Sequence, residues 1–269
     1  MLEKELRTAR GTVHYWVSGE PEPGRDAIVF LHGLTADHRL FEKQIESFAP
    51  AYTVIAWDAP AHGKSRPYTD FTYPHAAADL KQLLEENGVA SAVMVGQSMG
   101  GYIIQSFLCR YPQMVRAFVG IDTCPYGSGY YSGSDMWWLR QVERMARLYP
   151  VGLLKEGIAR QVAVTADARR NMRAMLEPYG KDELCRLMGI GYAGFLADNR
   201  ELDIPCPVLL LAGERDRTGK VLHYCRRWSA RTGYPLQLIP GAAHNANADN
   251  PAAVNEAIRA FLKVHEPGK

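Results

Sequence analysis

The stretch Ala92-Val-Met-Val-Gly96-Gln97-Ser98-Met99-Gly100-Gly101-Tyr-Ile-Ile-Gln-Ser-Phe-Leu108 decides the fold. An apolar strand runs into Gly-x-Ser-x-Gly and leaves it as an apolar helix. Such a turn is sharp enough to strain the serine backbone and project its hydroxyl above the sheet. The flanking Gly96 and Gly100 are small because strand and helix pass close together. The five-residue pattern alone recurs by chance, so the strand before it and the helix after it carry the reading.

Working outward, short apolar runs rich in β-branched residues recur at 27–31, 53–57, 92–95, 117–121, 208–212 and 236–239. Runs without polar alternation fit strands covered on both faces. Their separation by helix-length segments predicts βαβ crossovers in a mostly parallel sheet, so the class is α/β. Residues 3–8 and 12–17, separated by Arg10-Gly11, alternate partially and predict an antiparallel hairpin leading into the sheet. Between Ile121 and Val208 the rhythm breaks. Residues 125–134, rich in Gly, Ser and Tyr, predict a loop, and 136–148, 153–165, 166–177 and 181–196 predict amphipathic helices. The expected organisation is a core in two parts, 1–123 and 203–269, interrupted by a helical lid at 124–202.

A serine hydroxyl is a poor nucleophile until a base takes its proton, and the base needs a third group to orient it. His244, in Ile239-Pro-Gly-Ala-Ala-His244, lies just beyond the last predicted strand. Asp216, in Leu211-Ala-Gly-Glu-Arg-Asp216, lies just beyond the strand before it. Both fall at carboxyl ends of parallel strands, where open α/β sheets bind ligands. Asp122, after the strand at 117–121, is a second carboxylate at a comparable place, and Asp216 is preferred.

Together these residues resemble the α/β-hydrolase fold superfamily, and within it the small lidded esterases, lactonases and carbon-carbon hydrolases. The order Ser98, Asp216, His244 is that family's order of nucleophile, acid and base. Further matches are Phe30-Leu-His32-Gly33-Leu34-Thr35, Trp57-Asp58-Ala-Pro60-Ala-His62-Gly63-Lys-Ser65 and Asp249-Asn-Pro251. The resemblance covers nearly the whole chain, with the insertion matching in placement and helical character only. It implies an oxyanion hole made by the backbone N–H groups of Leu34 and Met99. It also implies supporting roles for His32, Asp58 and His62, and an α/β-hydrolase fold with a mostly parallel central sheet flanked by helices. Some members take their acid from the place Asp122 occupies. Aromatic residues at the lid start, Tyr126, Tyr130, Trp137 and Trp138, are expected to line an apolar substrate pocket.

Composition bounds the rest. The chain has 269 residues, 47% hydrophobic and 22% charged, with a formal net charge of +2. That balance gives no support to nucleic-acid or membrane-surface binding beyond local patches. The charged start lacks the apolar stretch of a signal peptide, no run approaches a membrane helix, and five scattered cysteines form no Cys-x-x-Cys pair. A reduced, cytoplasmic monomer or homodimer is expected, with no metal or organic cofactor. The expected activity is cleavage of a carboxylic ester or lactone through an acyl-enzyme. A diketone carbon-carbon hydrolase or a cofactor-free perhydrolase would use the same three residues, and a ligand receptor with slow turnover is the rival of another class. Dehalogenases and epoxide hydrolases of this fold resemble it with aspartate in place of Ser98.

Overall fold

Apolar runs need cover on both faces, and the computed structural model, which describes residues 1–19 and 25–265, supplies it. In chain order the elements are β1 (Leu2–Thr8), β2 (Gly11–Val17), β3 (Ala27–Leu31), α1 (Glu42–Phe48), β4 (Thr53–Trp57), α2 (Tyr73–Glu86), β5 (Ala92–Gln97) and α3 (Met99–Leu108). There follow β6 (Val115–Ile121), α4 (Gly133–Ala146), α5 (Val151–Val162), α6 (Ala166–Leu176), α7 (Lys181–Asp198), β7 (Val208–Gly213), α8 (Val221–Thr232), β8 (Leu236–Ile239), α9 (Ala246–Asp249) and α10 (Pro251–His265). In the parallel strands, neighbouring residues enter different cores. Val29 and Leu31 of β3 join Leu80, Ile103, Phe107 and Trp228 of α2, α3 and α8. Ile28 and Phe30 join Phe48, Val254 and Ile258 of α1 and α10.

The eight strands form one sheet in the order β1-β2-β4-β3-β5-β6-β7-β8. β1 pairs with β2 and β2 with β4 antiparallel, and every later pairing is parallel. The chain therefore has the α/β-hydrolase fold. The N-terminal hairpin forms with a shifted turn: Thr8 pairs with Gly11, leaving Ala9-Arg10 at the bend. Gly11 answers a different need, since it has φ +154° and a Cβ there would lie 2.7 Å from the Pro67 carbonyl oxygen.

The segment between β6 and β7 holds α4 to α7. α4 starts three residues before the predicted 136, because Ser132 Oγ accepts from Asp135 N (3.2 Å) while the Asp135 carboxylate accepts from Ser132 N (3.1 Å). That reciprocal cap nucleates the first turn. α4 lies along α7, where Gly189 makes room for Glu143, whose Cβ would be 2.6 Å from a Cβ at 189. The turn between α5 and α6, in the middle of the insertion, is tied to α9 and the loop that carries His244. The Asp249 carboxylate accepts from Val164 N (3.0 Å), Thr165 N (2.8 Å) and Ala243 N (2.9 Å). Among the described residues no helix is long and apolar enough to cross a membrane.

Candidate active site

Ser98 sits between β5 and α3 with φ +48° and ψ −113°, in the left-handed half of backbone space that L-residues rarely adopt. Its N–H donates to the Ile121 carbonyl (2.9 Å) and its own carbonyl accepts from Thr123 Oγ1 (2.8 Å), so the strained turn is held from β6. The two glycines are sterically required. A Cβ on Gly96 would come 2.6 Å from the backbone of Gly100 and Gly101, and one on Gly100 would overlap the Leu31 carbonyl at the end of β3.

The structure brings His244 and Asp216 to this serine. His244 Nε2 lies 2.9 Å from Ser98 Oγ, and His244 Nδ1 lies 2.9 Å from Asp216 Oδ2. With Nδ1 donating to the carboxylate, Nε2 is the nitrogen free to accept the serine proton. Asp216 Oδ1 accepts from Thr218 N (2.7 Å). Burial by itself would raise the Asp216 carboxyl. Attraction and the hydrogen bond from His244, with the Thr218 donors, outweigh it and hold the group below its ordinary value. The histidine loop is fixed in turn by Gln97, whose Nε2 donates to the His244 carbonyl (2.7 Å), and by Asn245 N donating to the Val162 carbonyl (2.7 Å).

Asp122 is fully buried at φ +46°. Its Oδ1 accepts from Gly213 N (2.7 Å) and its Oδ2 from Ala246 N (3.3 Å), so it joins the end of β6 to the segments that carry Asp216 and His244. Burial, then repulsion from Asp216, pushes its carboxyl well above the usual range. Asp216 rather than Asp122 contacts the imidazole. Asp122, Asp216 and His244 bring three possible ligand atoms within 4.8 Å of one another, but both imidazole nitrogens are already engaged, so a metal ion there would have to break the chain to Ser98. The Cys124 thiol beside the site is pushed up to about 12 by burial and stays protonated.

Leu34 follows β3 and Met99 opens α3, and both border cavity space reached by Ser98. The Met99 N–H, being in the first helical turn, has no intrahelical acceptor. His32, Asp58 and His62 line neither cavity. His32 Nε2 accepts from Ala59 N (2.9 Å) and Nδ1 donates to the Gly33 carbonyl (2.8 Å), while the Asp58 carboxylate accepts from His38 N (2.9 Å) and Lys64 N (2.7 Å). Burial keeps both histidines neutral, with His62 lowered to about 3.

Two cavities converge on Ser98 and His244. The larger, of about 360 Å³, is walled by Leu154, Ile158 and Val162 of α5, Met172 of α6 and Met188 of α7. The smaller, of about 100 Å³, is walled by Tyr73, Tyr102, Tyr131, Tyr192 and Tyr224. Leu34, Tyr192 and Thr218 border both. The lid-start expectation is corrected here, because Trp137, Trp138, Tyr126 and Tyr130 line neither. Trp137 and Trp138 are 53% and 54% exposed and pack edge to face on each other at 4.8 Å. The Tyr126 hydroxyl donates to Asp198 Oδ2 (3.1 Å), and the Tyr130 ring lies under the Arg231 guanidinium at 4.9 Å. Sequence reasoning missed the apolar face of α5 at 154, 158 and 162. Its four-residue spacing was visible, but the direction it faces depends on how the helix docks.

A family model described as alpha/beta hydrolase fold matches residues 26–156. The fold this model describes is the one that the strand order of the chain's sheet shows. Among similar proteins, 2-(acetamidomethylene)succinate hydrolase of Mesorhizobium japonicum is 24% identical over 87% of each chain. A thermophilic esterase from Thermogutta terrifontis superimposes with TM-score 0.81 at 19% identity, covering 99% of this chain and 100% of that one. The enol-lactonase from Burkholderia xenovorans gives 0.78 at 19% identity over 97% and 100%.

Proposed function

We propose that the protein is a serine hydrolase that cleaves a carboxylic ester or lactone through an acyl-enzyme. The reading is carried by the unbroken hydrogen-bonded chain from Ser98 Oγ through His244 to Asp216, each link 2.9 Å. Ser98 Oγ attacks the carbonyl carbon while His244 Nε2 takes its proton. The Leu34 and Met99 N–H groups receive the oxyanion, and each such donor is typically worth on the order of a hundredfold in rate. Collapse breaks the bond to the alkoxy oxygen, which takes the proton from His244, and Asp216 holds the imidazolium charge meanwhile. Water, deprotonated by His244, then attacks the acyl carbon, frees the carboxylic acid and returns the proton to Ser98. The helices α4 to α7 act as a lid, with α5, α6 and α7 supplying the apolar wall for the larger substituent.

A second reading rests on the smaller cavity. Its ring of tyrosines beside Ser98 also suits a polar diketone, whose carbon-carbon bond the same three residues would hydrolyse. Purified protein assayed on nitrophenyl esters of graded acyl length, lactones and a meta-cleavage diketone separates the two. Efficient ester or lactone turnover, with a serine-reactive fluorophosphonate mapping to Ser98, is the expected result. Diketone turnover alone would select the second reading, and no turnover of any would leave a ligand receptor.

A further inference from the structure

Six of the ten exposed large hydrophobic side chains among the described residues fall within one stretch of the insertion: Trp137, Trp138, Met145, Leu148, Tyr149 and Leu153. Trp137, Trp138, Gln141 and Met145 recur at the spacing that places them on one face of α4, while the opposite side of that helix lies along α7. Leu148 and Leu153, 79% and 65% exposed, carry the apolar surface into the start of α5. A soluble monomer rarely leaves so much contiguous apolar surface without use.

Two further observations say what covers it. Tyr149 and Leu153 belong to this surface and also rim the larger cavity, so the apolar face runs without a break into the space that reaches Ser98. Arg140 and Arg144 are exposed on α4 with no carboxylate partner among the described residues, whereas neighbouring Arg147 and Arg160 are paired with Glu143 and Glu156. A tryptophan pair with flanking unpaired arginines suits the boundary between acyl chains and anionic headgroups. A second copy of the chain seated here would close the cavity rim, while a lipid surface leaves its contents facing that rim.

We propose that α4 and the start of α5 dock reversibly on an anionic lipid–water surface and draw an acyl-bearing substrate from it directly into the larger cavity. The docking stands on the surface itself, and the delivery rests on the hydrolase reading above. Sedimentation with phosphatidylcholine vesicles, with and without phosphatidylglycerol, tests the first without catalysis. Wild type and Ser98→Ala should both bind anionic vesicles. The double variant Trp137→Ala/Trp138→Ala should lose on the order of tenfold or more in binding while hydrolysing a dissolved acetate ester at the wild-type rate. Arg140→Glu/Arg144→Glu should lose binding to anionic vesicles specifically. Absence of wild-type binding, equal binding by the tryptophan variant, or a dimer that the tryptophan changes dissociate would each overturn the proposal. Vesicle binding without ester turnover would instead overturn the hydrolase reading and leave the docking surface standing.

Discussion

The carboxyl ends of the sheet and the helical insertion meet at the same two cavities but are built by different means. On the sheet side position is set by backbone: Gly96 and Gly100 admit no side chain, Ser98 and Asp122 hold positive φ, and main-chain hydrogen bonds from β6 and β7 fix both. On the insertion side the cavity wall is a set of aliphatic and thioether side chains on α5, α6 and α7. The difference teaches that the Ser98 turn is built from atoms that cannot be exchanged, whereas the cavity wall is built from side chains that can.

The sharpest way to break that contrast is Ser98→Ala. Loss of a triad nucleophile costs on the order of a millionfold in turnover, and the variant should fold as wild type by circular dichroism. Activity within tenfold of wild type on a nitrophenyl ester would remove the sheet side from the chemistry. Asp216→Asn should follow with a loss on the order of 10⁴, because the amide presents the imidazole in the wrong tautomer. Asp122→Asn, assayed beside it at saturating ester, should lose much less, since Asp122 touches backbone rather than imidazole. A reversed order would transfer the acid role to β6. The acid limb has a defined sign: the Asp216 carboxyl titrates below its ordinary value in the folded state, so its contribution to stability is present above the unfolded carboxyl range and is lost as pH falls through the lowered value. Acid unfolding of Asp216→Asn should therefore start from a less stable protein at neutral pH and depend less on pH than wild type.

Smaller effects are expected across the cavity. Ile158→Ala and Met188→Ala should raise KM for long acyl chains about tenfold while leaving turnover of an acetate ester near wild type, the pattern of lost uniform binding. Equal loss on short and long esters would show that the insertion shapes the reacting centre as well.

These contrasts also explain what the sequence disclosed. Strands at 27–31 and 53–57 were legible to the residue because a run covered on both faces has abrupt polar ends, and the half-exposed edge strand at 236–239 because Pro235 and Pro240 bracket it. Ser98 was legible from Gly-x-Ser-x-Gly directly after such a run, and Asp216 and His244 from the loops that follow β7 and β8. The start of α4 was missed although Ser132-x-x-Asp135 was there to read as a cap. The pocket wall was not legible at all, since aromatic content marks a lid's start without fixing its rotation. Trp137 and Trp138 turned outward while Ile158 and Val162, on a less conspicuous helix, turned in.

The outward turn of those two rings has a spectroscopic consequence. Of the tryptophans, Trp16, Trp57 and Trp228 are at most 8% exposed, and only Trp137 and Trp138 meet solvent broadly. Emission from the native protein therefore divides into a blue, quencher-resistant part from β2, β4 and α8 and a red part accessible to iodide from α4. The red part reports on the insertion alone, and its intensity and wavelength follow whatever covers that helix without any attached label.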